Sequence, residues 1–241
     1  MTVTATAIPM LTDNYSWLLR DTATGTIGIV DPAEAAPAIA AIEAAGGRLD
    51  CIFITHHHGD HIDGIPALVE RYHPKIIGNA ADAHRLPKLD IAVREGDLVT
   101  FGAVQAQVFD TPGHTIGHIA YYFPDDGILL PGDTLFSLGC GRLFEGTAAD
   151  MFGALQKFEP LPDATLVCAG HEYTASNAKF ALAQDPSNQA LQARAAEITA
   201  LRAAGQPTLP VTLGQERATN PFLRAETAQA FATLRKAKDN F

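Results

Sequence analysis

The stretch Cys51-Ile52-Phe53-Ile54-Thr55-His56-His57-His58-Gly59-Asp60-His61 joins a short apolar run to a loop dense in histidine. Ile52 and Ile54 are β-branched and the run is short, which predicts a buried strand with the histidines at its end. If the chain leaves that strand extended, positions 56, 58 and 60 share one side, because the extended period is two. Imidazole and carboxylate are ligands that a borderline cation such as zinc accepts, so several on one side predict a metal site. A plain exposed polar loop would fit the stretch alone. The rest of the chain offers more ligands, and that decides for metal.

His114 stands in Thr111-Pro112-Gly113-His114, Asp133 in Pro131-Gly132-Asp133-Thr134, and His171 in Gly170-His171-Glu172-Tyr173. Each follows an apolar run, with a glycine beside it that lets the backbone turn sharply. Residues at strand ends on one sheet edge converge, which is where catalytic groups are usually presented. Together with His56, His58, Asp60 and His61 these exceed what one tetrahedral ion needs. Two cations about 3.5–4 Å apart, sharing a carboxylate, would use them all, with Asp133 as the bridge. His57, His73, His84 and His118 stay outside the ligand set, His118 being a candidate support for the ligands.

The chain has 241 residues, 47% hydrophobic and 18% charged, which predicts a compact fold of one or two domains. No apolar run is long enough to span a bilayer, and Met1-Thr2-Val3-Thr4-Ala5 lacks the basic start of an export signal. Cys51, Cys140 and Cys168 are widely spaced and form no CxxC pair, so buried thiols in a reducing cytoplasm are expected. A net charge of −10 argues against a nucleic-acid partner. Residues 1–170 carry 9 Lys+Arg against 21 Asp+Glu, whereas residues 171–241 carry 8 against 6. The basic balance of the second segment is compatible with a small anionic ligand, although ordinary surface charge accounts for this feature by itself.

Patterning divides the chain in the same place. Strands are expected near 2–9, 15–19, 27–30, 49–54 and 76–77, a hairpin over 98–109 turning at Gly102, and strands at 119–123, 128–130 and, last, 166–168. Helices are expected over 32–46 and 62–72, the latter with Ile65, Leu68 and Val69 on one stripe, and after the cap Thr147. Residues 174–184, 187–204 and 225–236 are helical in composition. Strands and helices alternate early and helices cluster late, which predicts a sheet-based domain, 1–170, followed by a helical domain, 171–241.

Thr55-His56-His57-His58-Gly59-Asp60-His61 is the T-H-x-H-x-D-H signature of the metallo-β-lactamase superfamily, which the chain resembles. Asp31-Pro32, Gly113-His114, Gly132-Asp133 and Gly170-His171 follow in the superfamily's order. Within it the chain is similar to the glyoxalase II (hydroxyacylglutathione hydrolase) family. That likeness is carried by Leu11-Thr12-Asp13-Asn14-Tyr15, Gly139-Cys140-Gly141-Arg142, Phe144-Glu145-Gly146-Thr147, Asn220-Pro221-Phe222 and Arg235-Lys236-Ala237-Lys238-Asp239. It implies a four-layered αββα sandwich with a C-terminal helical domain. It also implies that His56, His58 and His114 hold one metal, and Asp60, His61 and His171 a second, with Asp133 between. The glutathione pocket carries over to Arg142, Leu143, Phe144, Tyr173, Arg235 and Lys238. Phe144 replaces a tyrosine found in some relatives, and Gly59 an aromatic.

Two divalent ions, zinc first and iron or manganese as the other candidates, lower the pKa of water from 15.7 to roughly 7. The hydroxide so formed, oriented by Asp60, suits attack on a thioester, whose thiol leaves with a pKa near 8.5. The expected reaction is hydrolysis of an S-(2-hydroxyacyl)glutathione by a monomer or small homo-oligomer without a membrane or nucleic-acid partner. Two other readings are a glutathione persulfide dioxygenase with a single iron and a non-catalytic protein of the same fold. Local chemistry alone would leave Arg235 and Lys238 as favourable charges near a helix C-terminus.

Overall fold

The computed structural model describes residues 2–241. A hairpin of β1 (Val3–Met10) and β2 (Asn14–Asp21), paired from Val3 opposite Asp21 to Met10 opposite Asn14, opens the chain. Strand β3 (Ile27–Val30) joins β2 antiparallel. Helix α1 (Ala35–Ala44) then returns the chain to β4 (Cys51–Phe53), parallel to β3. Helices α2 (Gly59–Ile62) and α3 (Ile65–Tyr72) lead to β5 (Lys75–Asn79), and β6 (Ile91–Val93) completes a six-stranded sheet in sequential order.

Alternation along β4 builds two layers at once, because successive side chains leave opposite faces of a strand. Ile52 and Ile54 face outward into a cluster with Ile42 of α1 and Ile65 and Leu68 of α3. Cys51 and Phe53 face inward. There Phe53 meets the ring edges of Phe101 at 5.9 Å and Tyr121 at 5.1 Å, arrangements that aromatic pairs favour.

Those two rings belong to the second sheet. It contains β7 (Leu98–Phe101), β8 (Val104–Asp110), β9 (Ile119–Phe123) and β10 (Ile128–Gly132). The short ribbon β11 (Leu135–Phe136) with β12 (Gly139–Cys140) and helix α4 (Ala148–Gln156) intervene before β13 (Leu166–Ala169). Phe109 and Tyr122 point away from the first sheet, and Phe109 packs on Phe158 just beyond α4. The layers therefore run helices, sheet, sheet, helices, the four-layered αββα sandwich. The C-terminal region adds α5 (Thr174–Gln184), α6 (Gln189–Ala203), α7 (Leu213–Thr219) and α8 (Ala228–Asp239).

Three differences from the sequence reading have local causes. The helix expected from Ile62 to Tyr72 is two pieces, broken at Asp63 and Gly64. A Cβ at Gly64 would lie 2.6 Å from the Pro32 carbonyl oxygen, so the chain squeezes past the start of the α1 connection there. Leu166–Cys168 is not the last strand: β14 (Val211–Thr212) pairs antiparallel with β13, so the second sheet runs β14-β13-β10-β9-β8-β7. Two residues are too few to show a period of two. The same brevity hid β6, β11 and β12; α7, seven residues long, was also missed, although its capping residue Thr212 accepts from the Gln215 N–H.

Candidate active site

Strands β3, β4, β8, β10 and β13 deliver their C-terminal ends to one rim, as α/β sheets present ligand sites. Asp31 follows β3, His56 and His58 follow β4, His114 follows β8, Asp133 follows β10 and His171 follows β13. Asp60 and His61 ride on α2. The turn between β1 and β2 adds Asp13 and Asn14, stitched to the end of β13 by Tyr15 N–H to Gly170 O at 2.8 Å and Glu172 N–H to Asp13 O at 2.8 Å.

The seven expected ligands meet in two groups. His56 Nε2 and His114 Nε2 lie 3.1 and 3.0 Å from His58 Nδ1. Asp60, His61 and His171 form the other triad, with both His61 Nε2 and His171 Nε2 near Asp60 Oδ2, at 3.7 and 3.5 Å. Asp133 lies between: Oδ1 is 3.5 Å from His61 Nε2, and Oδ2 is 3.4 Å from both His114 Nε2 and His171 Nε2. The extended-loop argument holds for His56 and His58 and fails at Asp60. The chain enters the α2 turn after His58, whose ψ is still 143°, and the turn sends Asp60 and His61 to the second group.

The outward ring nitrogens are fixed in turn. His56 Nδ1 meets Thr55 Oγ1 at 3.0 Å, His61 Nδ1 meets Asp31 Oδ2 at 3.1 Å, His114 Nδ1 meets the Arg142 carbonyl at 2.8 Å, and His171 Nδ1 meets Asp13 Oδ1 at 3.0 Å. Such partners orient metal-binding imidazoles and select the tautomer with a free inward nitrogen. Burial, reinforced by the neighbouring His61, pushes His56 well below its ordinary pKa, so that ring is neutral. Burial works the other way at Asp133, yet His61 and His171 beside it hold its carboxyl far below the usual range. His61 is lowered by burial but raised further by Asp133 and Asp31, ending at about 9.

These residues fit divalent cations. His61 Nε2 and Asp133 Oδ1 are buried, face the centre, and find no hydrogen-bond partner among the described residues. Burying such atoms unpartnered costs on the order of 1–3 kcal/mol each. Imidazole and carboxylate donors converging from two triads on one shared carboxylate are what a pair of divalent ions takes.

The same cleft, about 760 Å³, runs from the triads to a basic end lined by Arg142, Arg235 and Lys238. Phe144 is 63% exposed and places its ring over His58 and His114, at 5.7 and 5.1 Å between centroids. Tyr173 stacks on His171 at 4.6 Å, and burial raises its phenol so that it stays protonated at neutral pH. Leu143 is half-buried against the core and does not line the cleft. Arg235 is buried, donating to the Cys140 carbonyl at 2.9 Å and through two nitrogens to Asp239 Oδ1. Lys238 Nζ sits 5.4 and 5.7 Å from the ring centroids of Phe180 and Phe241.

The sequence motifs include Asp13, Asn14, Asp31 and Thr55 as marks of the resemblance but assign them no role in the site. Asn14 Nδ2 donates to Asp60 Oδ2 at 3.0 Å. Asp31, at φ 49°, turns its carboxylate to accept both the N–H and the hydroxyl of Thr55 as well as His61. Asp-Pro at a strand end and Asp-Asn in a turn are the available signals, and both are commonplace. His118 is fully buried and neutral; its Nε2 accepts the Asp133 N–H at 3.0 Å, so Nδ1 donates to Thr111 Oγ1 at 2.8 Å.

Comparison with known proteins agrees with this geometry. Residues 11–171 match the metallo-beta-lactamase superfamily, whose members bind divalent metal, and residues 172–241 match the hydroxyacylglutathione hydrolase C-terminus family. A hydroxyacylglutathione hydrolase of Acidiphilium cryptum (strain JF-5) is 56% identical over 99% of this chain and 97% of its own length. One from Rhodobacter capsulatus is 55% identical over 97% and 91%. Among solved structures, ETHE1 from Myxococcus xanthus superposes with a TM-score of 0.74 at 25% identity, covering 98% of this chain and 90% of that one. The chain belongs to the hydroxyacylglutathione hydrolase family of the metallo-beta-lactamase superfamily.

Proposed function

We propose that the chain hydrolyses the thioester of S-(2-hydroxyacyl)glutathione to glutathione and a 2-hydroxy acid, the second step of methylglyoxal detoxification when the acyl group is D-lactoyl. One observation carries the reading: His58 and His114 of one triad, Asp60 and His171 of the other, the shared Asp133 and the three cations Arg142, Arg235 and Lys238 line one cleft. Its volume lies within the range of small-ligand pockets.

His56, His58 and His114 would hold one divalent ion, and Asp60, His61 and His171 the other, with Asp133 shared. Zinc is the first candidate, and iron or manganese suits the same ligands. When bound, such a pair activates water at neutral pH and polarises the acyl carbonyl. Asp60, kept in place by Asn14 and open to the cleft, orients the attacking water. Arg142 and Lys238 receive the glutathione carboxylates, and Arg235 adds a fixed charge whose hydrogen bonds are already committed. Tyr173, whose phenol burial keeps protonated, donates a hydrogen bond to the bound peptide. The leaving thiol needs little help, since its unperturbed pKa is about 8.5. Cys140 plays no nucleophilic part: burial pushes its thiol up to about 11.

Residues 171–241 thus act mainly in glutathione recognition and residues 1–170 in the chemistry, in a cytoplasmic monomer or small homo-oligomer. Among the described residues no helix is long and apolar enough to cross a membrane. The test is steady-state hydrolysis of S-D-lactoylglutathione, followed by loss of thioester absorbance, with a chelator-treated control. Turnover that vanishes with the metal supports the proposal. A fully metallated protein without turnover refutes it.

A further inference from the structure

The segment from Asn79 to Arg85 supplies none of the seven ligands and lines no part of the cleft, yet three loops of the site converge on it. Arg85 Nε donates to Asp82 Oδ1 at 2.6 Å, while its two terminal nitrogens grip both oxygens of Glu145. Two-pronged contacts of this kind fix orientation as well as distance. Glu145 Oε2 also accepts the Ile116 N–H at 2.8 Å, two residues after His114. Asp82 Oδ2 lies 3.3 Å from His57 Nδ1, between His56 and His58, and Arg85 Nη1 lies 3.3 Å from His57 Nε2. Asn79 Nδ2 donates to the Gly117 carbonyl at 3.0 Å. A Cβ at Gly117 would meet Asp82 at 2.4 Å, so the two segments are in direct contact.

Magnitude decides what this arrangement is for. The Arg85 and Glu145 side chains are 29% and 28% exposed, and pairs that partly reach solvent contribute only about 0–1 kcal/mol to stability. Glu145 does titrate as a held group, its carboxyl brought down to about 2 first of all by the hydrogen bond from Arg85. The contact's larger effect is geometric. Glu145 directly follows Arg142-Leu143-Phe144, which carries a cation of the cleft and the ring over His58 and His114. The loop of His114 has a second tether in Asn79, whereas the Glu145 carboxylate is held chiefly by Arg85, with the Ile116 N–H donating to it and His57 Nε2 lying 3.7 Å away.

We infer that Arg85 is a positioning residue for glutathione recognition, holding the Arg142–Phe144 loop against the cleft through Glu145. The inference rests on the function proposed above for its ligand, so binding and turnover are measured separately. Calorimetric Kd values for glutathione are compared in the metal-loaded full chain, in Arg85→Ala, in Glu145→Gln and in the double variant, with melting temperature alongside. Displacing a loop from its productive geometry carries a penalty in the range of about 5- to 10-fold here, within what remote misplacement can cost. The expected result is that weakening in each single variant, no further weakening in the double variant, and KM for the thioester rising with kcat within about twofold. Unchanged Kd in Arg85→Ala and Glu145→Gln overturns the inference, whatever happens to melting. Independent, additive losses overturn it too, because they would mean the residues do not act through each other. A wild-type protein that binds glutathione without hydrolysing thioester defeats the proposed function and leaves the positioning role standing; one that does not bind glutathione defeats both.

Discussion

Gly170 measures how little room the shared carboxylate has. A Cβ there would come within 2.7 Å of Asp133 Oδ1 and 3.0 Å of His61 Cε1. Gly170→Ala should therefore displace the bridge between the triads, and metal analysis after dialysis should show fewer than two ions retained per chain. Asp13 acts one bond further out, on His171 Nδ1. Asp13→Ala is expected to weaken metal affinity by about 10- to 100-fold while leaving the fold intact, as read by competition with a chromogenic chelator. Retention at wild-type strength in both variants would contradict the ligand assignment. The ligands themselves were legible because His and Asp beside glycine at strand ends are chemically specific. Their supports were not, since Asp13 and Asn14 look like any turn and Asp31 like any strand terminus. Only the fold reveals that the β1–β2 turn and the end of β3 bring them to His171, Asp60 and His61.

At the scale of elements, two signals were legible: the continuous apolar runs of β3 and β9, buried throughout, and the alternation of the β7–β8 hairpin turning at Gly102, whose φ is +59°. Elements of two or three residues carry too short a pattern to read, and the break between α2 and α3 comes from a close approach to Pro32 that no local rule contains. Helix α4 was foreseen from its cap. Thr147 accepts from the Asp150 N–H and Asp150 accepts from the Thr147 N–H, a reciprocal box. Thr147→Ala should lower stability by about 1 kcal/mol in a denaturant titration. The loop before α4 responds to acid. With the Glu145 carboxyl depressed to about 2, its contribution is complete above the ordinary value near 4.3 and is lost as pH falls from there toward 2. Wild type and Glu145→Gln should accordingly differ more in melting temperature at pH 5 than at pH 2.5. A constant difference would show that the held carboxylate adds nothing to stability.

For the molecule as a whole, the ligand cluster joins both sheets, so cation binding should act on global stability. At a free metal concentration 100 times Kd the linked gain is about 2.7 kcal/mol. A chelator-treated sample should melt at a lower temperature, and an unchanged transition would mean that the triads do not retain metal. The two regions also interlock. Glu216 of α7 is fully buried, accepting from Ser137 Oγ at 2.8 Å and Leu138 N–H at 2.7 Å, while Asn220 Nδ2 reaches the Phe136 and Gly139 carbonyls. The C-terminal region therefore shapes the turn that leads to Arg142.

Strand β14 is only Val211 and Thr212, and it pairs with Leu166 and Val167 at the start of β13, the strand that runs on to His171. Take it away and the main-chain donors and acceptors at the start of a fully apolar strand lie open, a template for another copy of the chain to add itself. The short C-terminal strand thus closes an edge of the second sheet, and a chain cut after residue 171 is expected to associate edge to edge.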